Sequence, residues 1–150
     1  MKILLALISP HKAGRSGPAA ELLQDYIKRA SRYIPCSWAM YPTEAKLLEN
    51  IAAVSGRTRP ALLLTDSHGE ELSSEGLAST IGTLQDTGLQ QLTVAIGPAD
   101  GWSPAALARA DRTVAFGRIT LPHELAAVVA AEQIYRALTI RAGHPYHCGH

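Results

Sequence analysis

Three short and almost purely apolar segments constrain the fold of this chain more than any other feature. They are residues 3–8, 61–64 and 92–96. A strand covered on both faces loses the alternation of polar and apolar residues and becomes a continuous apolar run. Two shorter candidate strands lie at Cys36–Tyr41 and at residues 113–116, and segments of helical periodicity separate all five. This alternation predicts an α/β fold with a mainly parallel sheet.

Helix-start signals follow most of the predicted strands. A proline at the first helical position lacks only an N–H that would have no partner there, and a Ser or Thr just before a helix caps it. The second helix is expected over residues 44–55, and the longest over about residues 122–142, where Gly143 ends it. Residues 67–69 are expected to turn the chain after the 61–64 strand. The helix starts are marked by Pro18, Thr43, Ser73 or Ser74, and Ser103-Pro104.

Charge and composition exclude several function classes. The chain has 150 residues, with 14 Lys and Arg against 13 Asp and Glu, so it does not bind nucleic acid by bulk electrostatics. Any positive surface has to be local or supplied by another subunit. No apolar run approaches the roughly 18 residues of a membrane span, and residues 3–8 are too short for a secretory core. Cys36 and Cys148 form no disulfide framework, which predicts free thiols and a cytoplasmic location.

The chain segments that follow three predicted strands are the candidate ligand site. Ligands of open parallel sheets bind beyond the carboxyl ends of the strands. Residues 65–69, 97–101 and 117–123 fall there, and glycines in them allow close approach of backbone amides to a ligand. The alternative is that these segments are tight strand-to-helix turns without a ligand. The dinucleotide, P-loop and hydrolase-elbow signatures G-x-G-x-x-G, G-x-x-x-x-G-K-[ST] and G-x-S-x-G are absent.

The tail carries a cluster of potential metal ligands. His144, His147, Cys148 and His150 lie within seven residues, and such a set can bind a soft metal. We favour no metal, with His144 and His147 as polar groups of a site or of a free end. Glu132 and Arg136 are four residues apart, which fits an intrahelical ion pair.

Specific sequence blocks carry a family resemblance. Residues 119–123 read ITLPH, residues 131–137 read AEQIYRA and residues 143–147 read GHPYH. With the DSHG block at 66–69 and the AIG block at 95–97, the chain closely resembles the ribosomal RNA large subunit methyltransferase H family. That family belongs to the SPOUT, or α/β-knot, superfamily. The resemblance runs from the first strand to the tail, and the C-terminal blocks are its most specific part.

The resemblance implies a fold and an activity. The fold is a single domain over residues 1–150, with a five- to six-stranded mainly parallel sheet, helices on both faces and a C-terminal trefoil knot. The activity is S-adenosylmethionine-dependent methylation of N3 of a pseudouridine in helix 69 of 23S rRNA on assembled ribosomes. The enzyme is a homodimer in this family and needs neither a metal nor a membrane.

The resemblance also implies site residues. His144 or His147 is the first candidate to accept the N3 proton, and Glu132 is the second. Arg136, Tyr146 and His123 are candidate contacts to the RNA. Cofactor contacts carry over to Leu64, Thr65, Gly97, Gly101, Gly117, Arg118, Ile119, Thr120, Leu121 and Pro122.

The chain departs from the family pattern at four places. Pro98 replaces a second glycine, Ala127 replaces a frequent arginine, Cys148 replaces a basic residue, and residues 9–12 replace the usual Gly-Lys. Three of these four differences bear on cofactor pose or RNA binding, and two alternatives stay open. One is a catalytically silent ribosome-binding or assembly factor of the same fold, and the other is a SPOUT methyltransferase for another RNA.

Overall fold

The computed structural model describes residues 1–9 and 16–148, which form five strands and five helices. Residues 10–15 lie outside the described part of the chain, as do Gly149 and His150 of the tail. In chain order the elements are β1 (Lys2–Ile8), α1 (Pro18–Ala30), β2 (Cys36–Tyr41), α2 (Glu44–Ala52), β3 (Ala61–Glu71), α3 (Ser74–Asp86), β4 (Gln91–Ile96), α4 (Pro104–Arg109), β5 (Arg112–Ala115) and α5 (His123–Arg141).

The five described strands form one sheet in the order β2-β1-β4-β3-β5, and every pair in it is parallel. This confirms the predicted α/β class. A sheet of five to six strands was predicted, and the described residues form five. β4 lies at the centre and all six of its residues are buried, which explains its apolar sequence. The carboxyl ends of β3, β4 and β5 lie side by side.

Helices cover both faces of the sheet, as predicted. One core cluster packs α1, α3 and α5 on one face, with Ile3, Leu5 and Ile134 among its most buried members. The other packs α2 and α4 on the opposite face around Leu62, Leu64 and Trp102. No helix of the described residues is both long enough and apolar enough to cross a membrane. The trefoil knot stays a prediction.

The predicted caps are present at three helix starts. Thr43, Ser73 and Ser103 each accept a hydrogen bond from the backbone N–H three residues on, at 3.0–3.2 Å. Between the two serine candidates for α3, Ser73 is therefore the cap. α2 ends at Ala52, three residues earlier than expected. Gly143 follows α5 with φ of +70°, as its role as terminator predicted.

The predicted turn at residues 67–69 is wrong. β3 continues to Glu71, past an irregularity between Thr65 and Glu70, and then pairs with β5. The physical reason is that β5 pairs with Glu70 and Glu71, so these polar residues with weak strand propensity still extend the strand. Gly69 permits this pairing, because a Cβ there would lie 2.7 Å from the backbone of Val114.

Candidate cofactor cavity and tail cluster

The carboxyl ends of β3, β4 and β5 surround a cavity of about 350 Å³. This is the edge of the sheet at which ligands of parallel α/β folds bind. We call it the cofactor cavity. It is lined by residues 65–67, 96–99, 101–102, 116–117, 119–123 and 126.

The structure brings the three predicted segments together at this cavity. Thr65, Gly97, Gly101, Gly117 and residues 119–122 line it. The other two predicted cofactor contacts lie elsewhere. Leu64 is fully buried in the core below the cavity. The Arg118 side chain points into solvent, with its Nε 3.3 Å from a carboxylate oxygen of Glu71.

Trp102 organises the cavity and was not predicted from the sequence. Its indole is buried, and Nε1 donates a hydrogen bond to the backbone carbonyl of Thr65 at 2.8 Å. Gly97 lies against this ring, because a Cβ at position 97 would be 2.7 Å from it. The bulky aromatic residue directly before the Ser103-Pro104 helix start is a signal that the sequence analysis overlooked.

Two further glycines of the cavity are required by backbone conformation. Gly101 has φ of +88° and Gly117 has φ of +106°. Residues with a Cβ rarely adopt such values. A Cβ at either position would meet no atom within 4 Å. The constraint is therefore torsional, whereas at Gly97 it is steric.

A carboxylate from the second helix holds the loop that follows β4. Glu44 Oε1 accepts a hydrogen bond from the Ser103 backbone N–H at 2.9 Å, and its second oxygen accepts from the Ser103 hydroxyl. The bond from Trp102 to Thr65 holds the same loop from inside. The wall of the cavity formed by residues 97–102 is thus fixed from two directions.

The cofactor cavity carries little charge. Asp66 is the one acidic side chain of its described lining, and Lys and Arg are absent from that lining. Phe116, Ile119 and Leu121 supply apolar surface. Such a cavity suits a flat apolar ring held by backbone groups, with Asp66 available to a cationic part of the same ligand.

His123 is the first residue of α5 and lines the cofactor cavity. Its Nε2 atom is buried and has no hydrogen-bond partner in the described part of the chain. His123 is one of the residues predicted from the family resemblance to contact the RNA. The structure places its imidazole in the lining of the cofactor cavity.

A second group of functional candidates forms what we call the tail cluster: Glu75, Glu132, Arg136, Tyr146 and His147. Glu132 Oε1 accepts hydrogen bonds from Arg136 at 2.6 and 3.0 Å and from the Tyr146 hydroxyl at 2.9 Å. His147 joins the cluster to α3, with Nε2 2.8 Å from Glu75 and Nδ1 3.1 Å from Arg136. Glu75 is the member that the sequence analysis did not assign.

The contacts of His147 define its tautomer. Because a guanidinium can only donate, Nδ1 of His147 accepts from Arg136, and Nε2 carries the hydrogen that is donated to Glu75. Both ring nitrogens are therefore engaged. His144 is exposed, and its Nδ1 accepts from the Tyr146 backbone N–H at 3.2 Å.

The cluster shifts three pKa values. The hydrogen bond from His147 lowers the pKa of Glu75. The hydrogen bond to Glu132 raises the pKa of Arg136, and burial together with the bond to Glu132 raises the pKa of Tyr146. The three shifts favour a deprotonated Glu75, a protonated Arg136 and a protonated Tyr146, which are the states that form these hydrogen bonds.

The structure separates the tail cluster from the cofactor cavity within one chain. Glu132, Arg136, His144, Tyr146 and His147 do not line the cavity. His123 and Glu132 both lie on α5. At about 3.6 residues per turn, Glu132 is more than two helical turns beyond His123. Within one chain, the predicted tail residues therefore do not reach the cofactor cavity.

The described residues contain no group of three or more His, Cys, Asp or Glu placed to hold a metal ion. His150, one of the four tail residues with ligand chemistry, lies outside the described part of the chain.

Known proteins of similar sequence match most of this chain. The family described as "Predicted SPOUT methyltransferase" matches residues 1–147. A ribosomal RNA large subunit methyltransferase H from Koribacter versatilis is 46% identical over 129 residues, which cover 86% of this chain and 88% of that protein. The protein of the same name from Rhizobium rhizogenes is 36% identical over 148 residues, covering 89% of this chain and 92% of its own.

Solved structures agree on the fold. The SpoU methyltransferase AviRb from Streptomyces viridochromogenes, in complex with AdoMet, has a TM-score of 0.53 at 17% identity over 96% of this chain. A probable methylase family protein from Haemophilus influenzae has a TM-score of 0.59 at 9% identity over 94% of this chain. The chain spans 58% and 66% of these two solved chains. By its sequence, the chain belongs to the SPOUT methyltransferase family and, within it, to the ribosomal RNA large subunit methyltransferase H family.

Proposed function

We propose that this chain is an S-adenosylmethionine-dependent methyltransferase that modifies N3 of a pseudouridine in helix 69 of 23S rRNA. One observation carries the proposal. The family-specific segments at residues 65–67 of β3 and after β4 and β5 converge on one cavity, and they are the segments to which the resemblance assigns the cofactor. The relatives named ribosomal RNA large subunit methyltransferase H support the choice of an rRNA substrate.

The lining of the cofactor cavity fits S-adenosylmethionine. Phe116, Ile119 and Leu121 offer apolar surface to the adenine, and the backbone at Gly97 and Gly117 can approach it closely. The Asp66 carboxylate in the lining supplies negative charge for the cationic parts of the cofactor. The bound cofactor supplies an electrophilic methyl group.

The proline after Gly97 changes one expected cofactor contact. Pro98 has no N–H to donate at the position where the family has a second glycine. Neighbouring residues of the cavity therefore have to provide that contact.

We extend the proposal to a homodimer that acts in the cytoplasm on assembled ribosomes. A chain with a net charge of +1 gains little from bulk attraction to RNA, so a composite surface of two copies is favoured. Leu22 of α1 and Leu125 of α5 expose 45% and 51% of their surface on two helices that pack together. In such a dimer the tail cluster of one copy has access to the cavity of the other. Sedimentation at micromolar concentration is expected to give a dimer, and a strict monomer would contradict it.

The decisive experiment measures methyl transfer on ribosomes. Ribosomes from cells that lack the modification are incubated with the protein and labelled S-adenosylmethionine, and the rRNA nucleosides are resolved by mass spectrometry. We expect N3-methylpseudouridine from 23S rRNA, and more product from intact ribosomes than from free rRNA or tRNA.

Calorimetry with S-adenosylmethionine separates the alternatives. Cofactor binding without methyl incorporation into ribosomes would favour a methyltransferase for another RNA, which a panel of RNAs then identifies. Ribosome association with no cofactor binding at millimolar concentration would favour the catalytically silent factor and end the enzyme proposal.

A further inference from the structure

A second cavity opens beside the cofactor cavity, between the first turns of α1 and α5 and the carboxyl ends of β1 and β2. Its volume is about 500 Å³, and Leu7, Leu23 and Met40 supply much of its apolar wall. Cavities that hold small organic ligands fall roughly between 300 and 1,000 Å³. We call this second cavity the adjoining cleft.

The adjoining cleft and the cofactor cavity share a wall. Pro98, Ala99 and His123 line both of them. In-line methyl transfer needs the acceptor atom within about 3–3.5 Å of the methyl carbon. The reacting base therefore has to occupy space that meets the cofactor directly, and the cleft provides such space.

The charges of the cleft indicate which part of an RNA it accepts. Asp100 and Glu124 contribute two carboxylates, and the described lining contains no Lys or Arg. The two carboxylates disfavour a phosphate beside them. A uracil-type base is neutral and presents N–H groups, which carboxylate and imidazole groups can accept. Its flat faces match the apolar walls, as in other enzymes that draw a base out of its stack.

His123 places an acceptor at the shared wall. Its buried Nε2 lacks a partner in the described part of the chain. Burying a polar atom without a hydrogen bond costs free energy, so a partner is expected to arrive with a ligand. An N–H donor on a base in the cleft supplies that partner.

We propose that the adjoining cleft receives the flipped-out target base and that His123 Nε2 accepts the proton of its imide N3–H. This inference rests on the function proposed above. As the N3–CH₃ bond forms, the N3–H bond breaks and its proton passes to Nε2. The S–CH₃ bond breaks with its electron pair staying on sulfur, which leaves a neutral thioether. The positive charge of the sulfonium is thus replaced by that of an imidazolium.

The first test fills the cleft without touching the cofactor cavity. Ala20 lies half-buried on α1 and lines the adjoining cleft but not the cofactor cavity. Ala20→Leu therefore reduces the space that is available to the base. We expect the single-turnover rate on ribosomes to fall about a hundredfold, as misplacement of a reactant does. The calorimetric Kd for S-adenosylmethionine should stay within about threefold of wild type. Ala52→Leu, on the exposed end of α2, is the matched control and should leave both values unchanged.

The second test removes the acceptor. His123→Ala should slow single-turnover methyl transfer by about 10²–10⁴-fold, the usual contribution of a positioned proton acceptor. Added imidazole, which fits the vacated space, should restore part of the rate. Glu49→Ala is the control, because the Glu49 side chain is 72% exposed and lines neither cavity. Thermal unfolding of each variant checks that the fold is retained.

The outcomes separate this inference from the function on which it rests. If wild-type protein methylates no ribosomal RNA, the proposed function fails first. If wild type is active and the folded Ala20→Leu and His123→Ala variants match its rate, the cleft does not hold the base. Loss of cofactor affinity in Ala20→Leu, or a slow His123→Ala variant that imidazole does not rescue, would also overturn the assignment.

Discussion

The cofactor cavity and the tail cluster lie in the most family-specific part of the chain, but they are built in opposite ways. The cavity is formed by backbone and apolar side chains after three strands, with glycines at 97, 101 and 117. The tail cluster is formed by five polar side chains, three of which carry formal charge, that satisfy one another. The cofactor cavity is therefore open to a ligand, whereas the polar groups of the tail cluster are hydrogen-bonded to one another.

This difference bears on which residues react. A side chain in a complete hydrogen-bond network is stabilised in one state, so a change of that state costs free energy. Glu132 and His147 are in that position. His123 has a buried nitrogen without a partner in the described residues and lies where a ligand would meet it. Within one chain, the geometry therefore favours His123 over the tail residues that the family resemblance put first.

The largest effect is expected when a glycine of the cofactor cavity is replaced. Gly117→Ala and Gly88→Ala both place a Cβ at positive φ, +106° and +84°, in open space. Each should cost about 1–3 kcal/mol of unfolding free energy. Of these two glycines, Gly117 lines the cofactor cavity and Gly88 does not. Only Gly117→Ala should therefore also weaken S-adenosylmethionine binding, by about tenfold or more. Equal affinity of the two variants in calorimetry would show that this loop does not hold the cofactor.

The next test opens the tail cluster. Glu132→Gln leaves the half-buried Arg136 without its counter-charge. Since hydrogen bonds to charged groups are the stronger ones, the unfolding free energy should fall by about 1.5–3 kcal/mol. Urea unfolding measures this loss. Cofactor affinity should not change, and a large change in Glu132→Gln would mean that the two regions are coupled.

An exposed ion pair provides the matched control for the tail cluster. Asp25→Asn breaks the pair with Arg29 at the same helical spacing. Because solvent screens such pairs, the expected loss of unfolding free energy is only about 0.3–0.5 kcal/mol. A loss as large as that of Glu132→Gln would contradict a special role of the cluster.

A smaller effect is expected at the floor of the cavity. Trp102→Phe removes the hydrogen bond to the Thr65 carbonyl. The loss of one neutral hydrogen bond should lower stability by about 0.5–1.5 kcal/mol. We also expect a few-fold loss of cofactor affinity, because the loop after β4 loses its inner attachment.

Trp38→Phe is the control for this change, since Trp38 Nε1 donates to the exposed Gln24 side chain at 2.6 Å and Trp38 does not line the cavity. Calorimetry should find no change of affinity in this variant. A loss there as large as in Trp102→Phe would contradict a specific role of Trp102.

The smallest effect concerns pH. Because His147 lowers the pKa of Glu75 in the folded state, this carboxylate stabilises the fold at pH values above its ordinary pKa. The stabilisation is lost as pH falls through the lowered folded pKa. The difference in unfolding free energy between wild type and Glu75→Gln should therefore be small near neutral pH and vanish in strong acid. Glu49→Gln, in an exposed pair with Lys46, should give a smaller difference at every pH.

Much of the fold was predictable because its signals are local. Apolar runs marked β1, β3 and β4, and the hydroxyl caps Thr43, Ser73 and Ser103 marked three helix starts within one residue. Both kinds of signal depend on neighbours a few positions away in the chain. The convergence of the three glycine-bearing segments was also predictable, since parallel strands present their carboxyl ends at one edge.

The sites were less predictable because their decisive contacts are remote in sequence. Trp102 meets the Thr65 carbonyl across 37 positions, and His147 meets Glu75 across 72. The turn expected at residues 67–69 lies within a strand, because Glu70 and Glu71 pair with β5 beyond it. Local propensity contains no information about such partners.

By itself, then, the sequence determined an α/β chain with a buried parallel sheet, the starts of its helices, the three segments that carry the ligand site and the family. Only the tertiary structure decided that the tail residues contact Glu75, and that His123, whose Nε2 is buried, lines both cavities. The physical reason is the strand order β2-β1-β4-β3-β5. It places the ends of β3, β4 and β5 around the cofactor cavity and the ends of β1 and β2 beside the adjoining cleft, so the packing of the sheet determines which side chains meet.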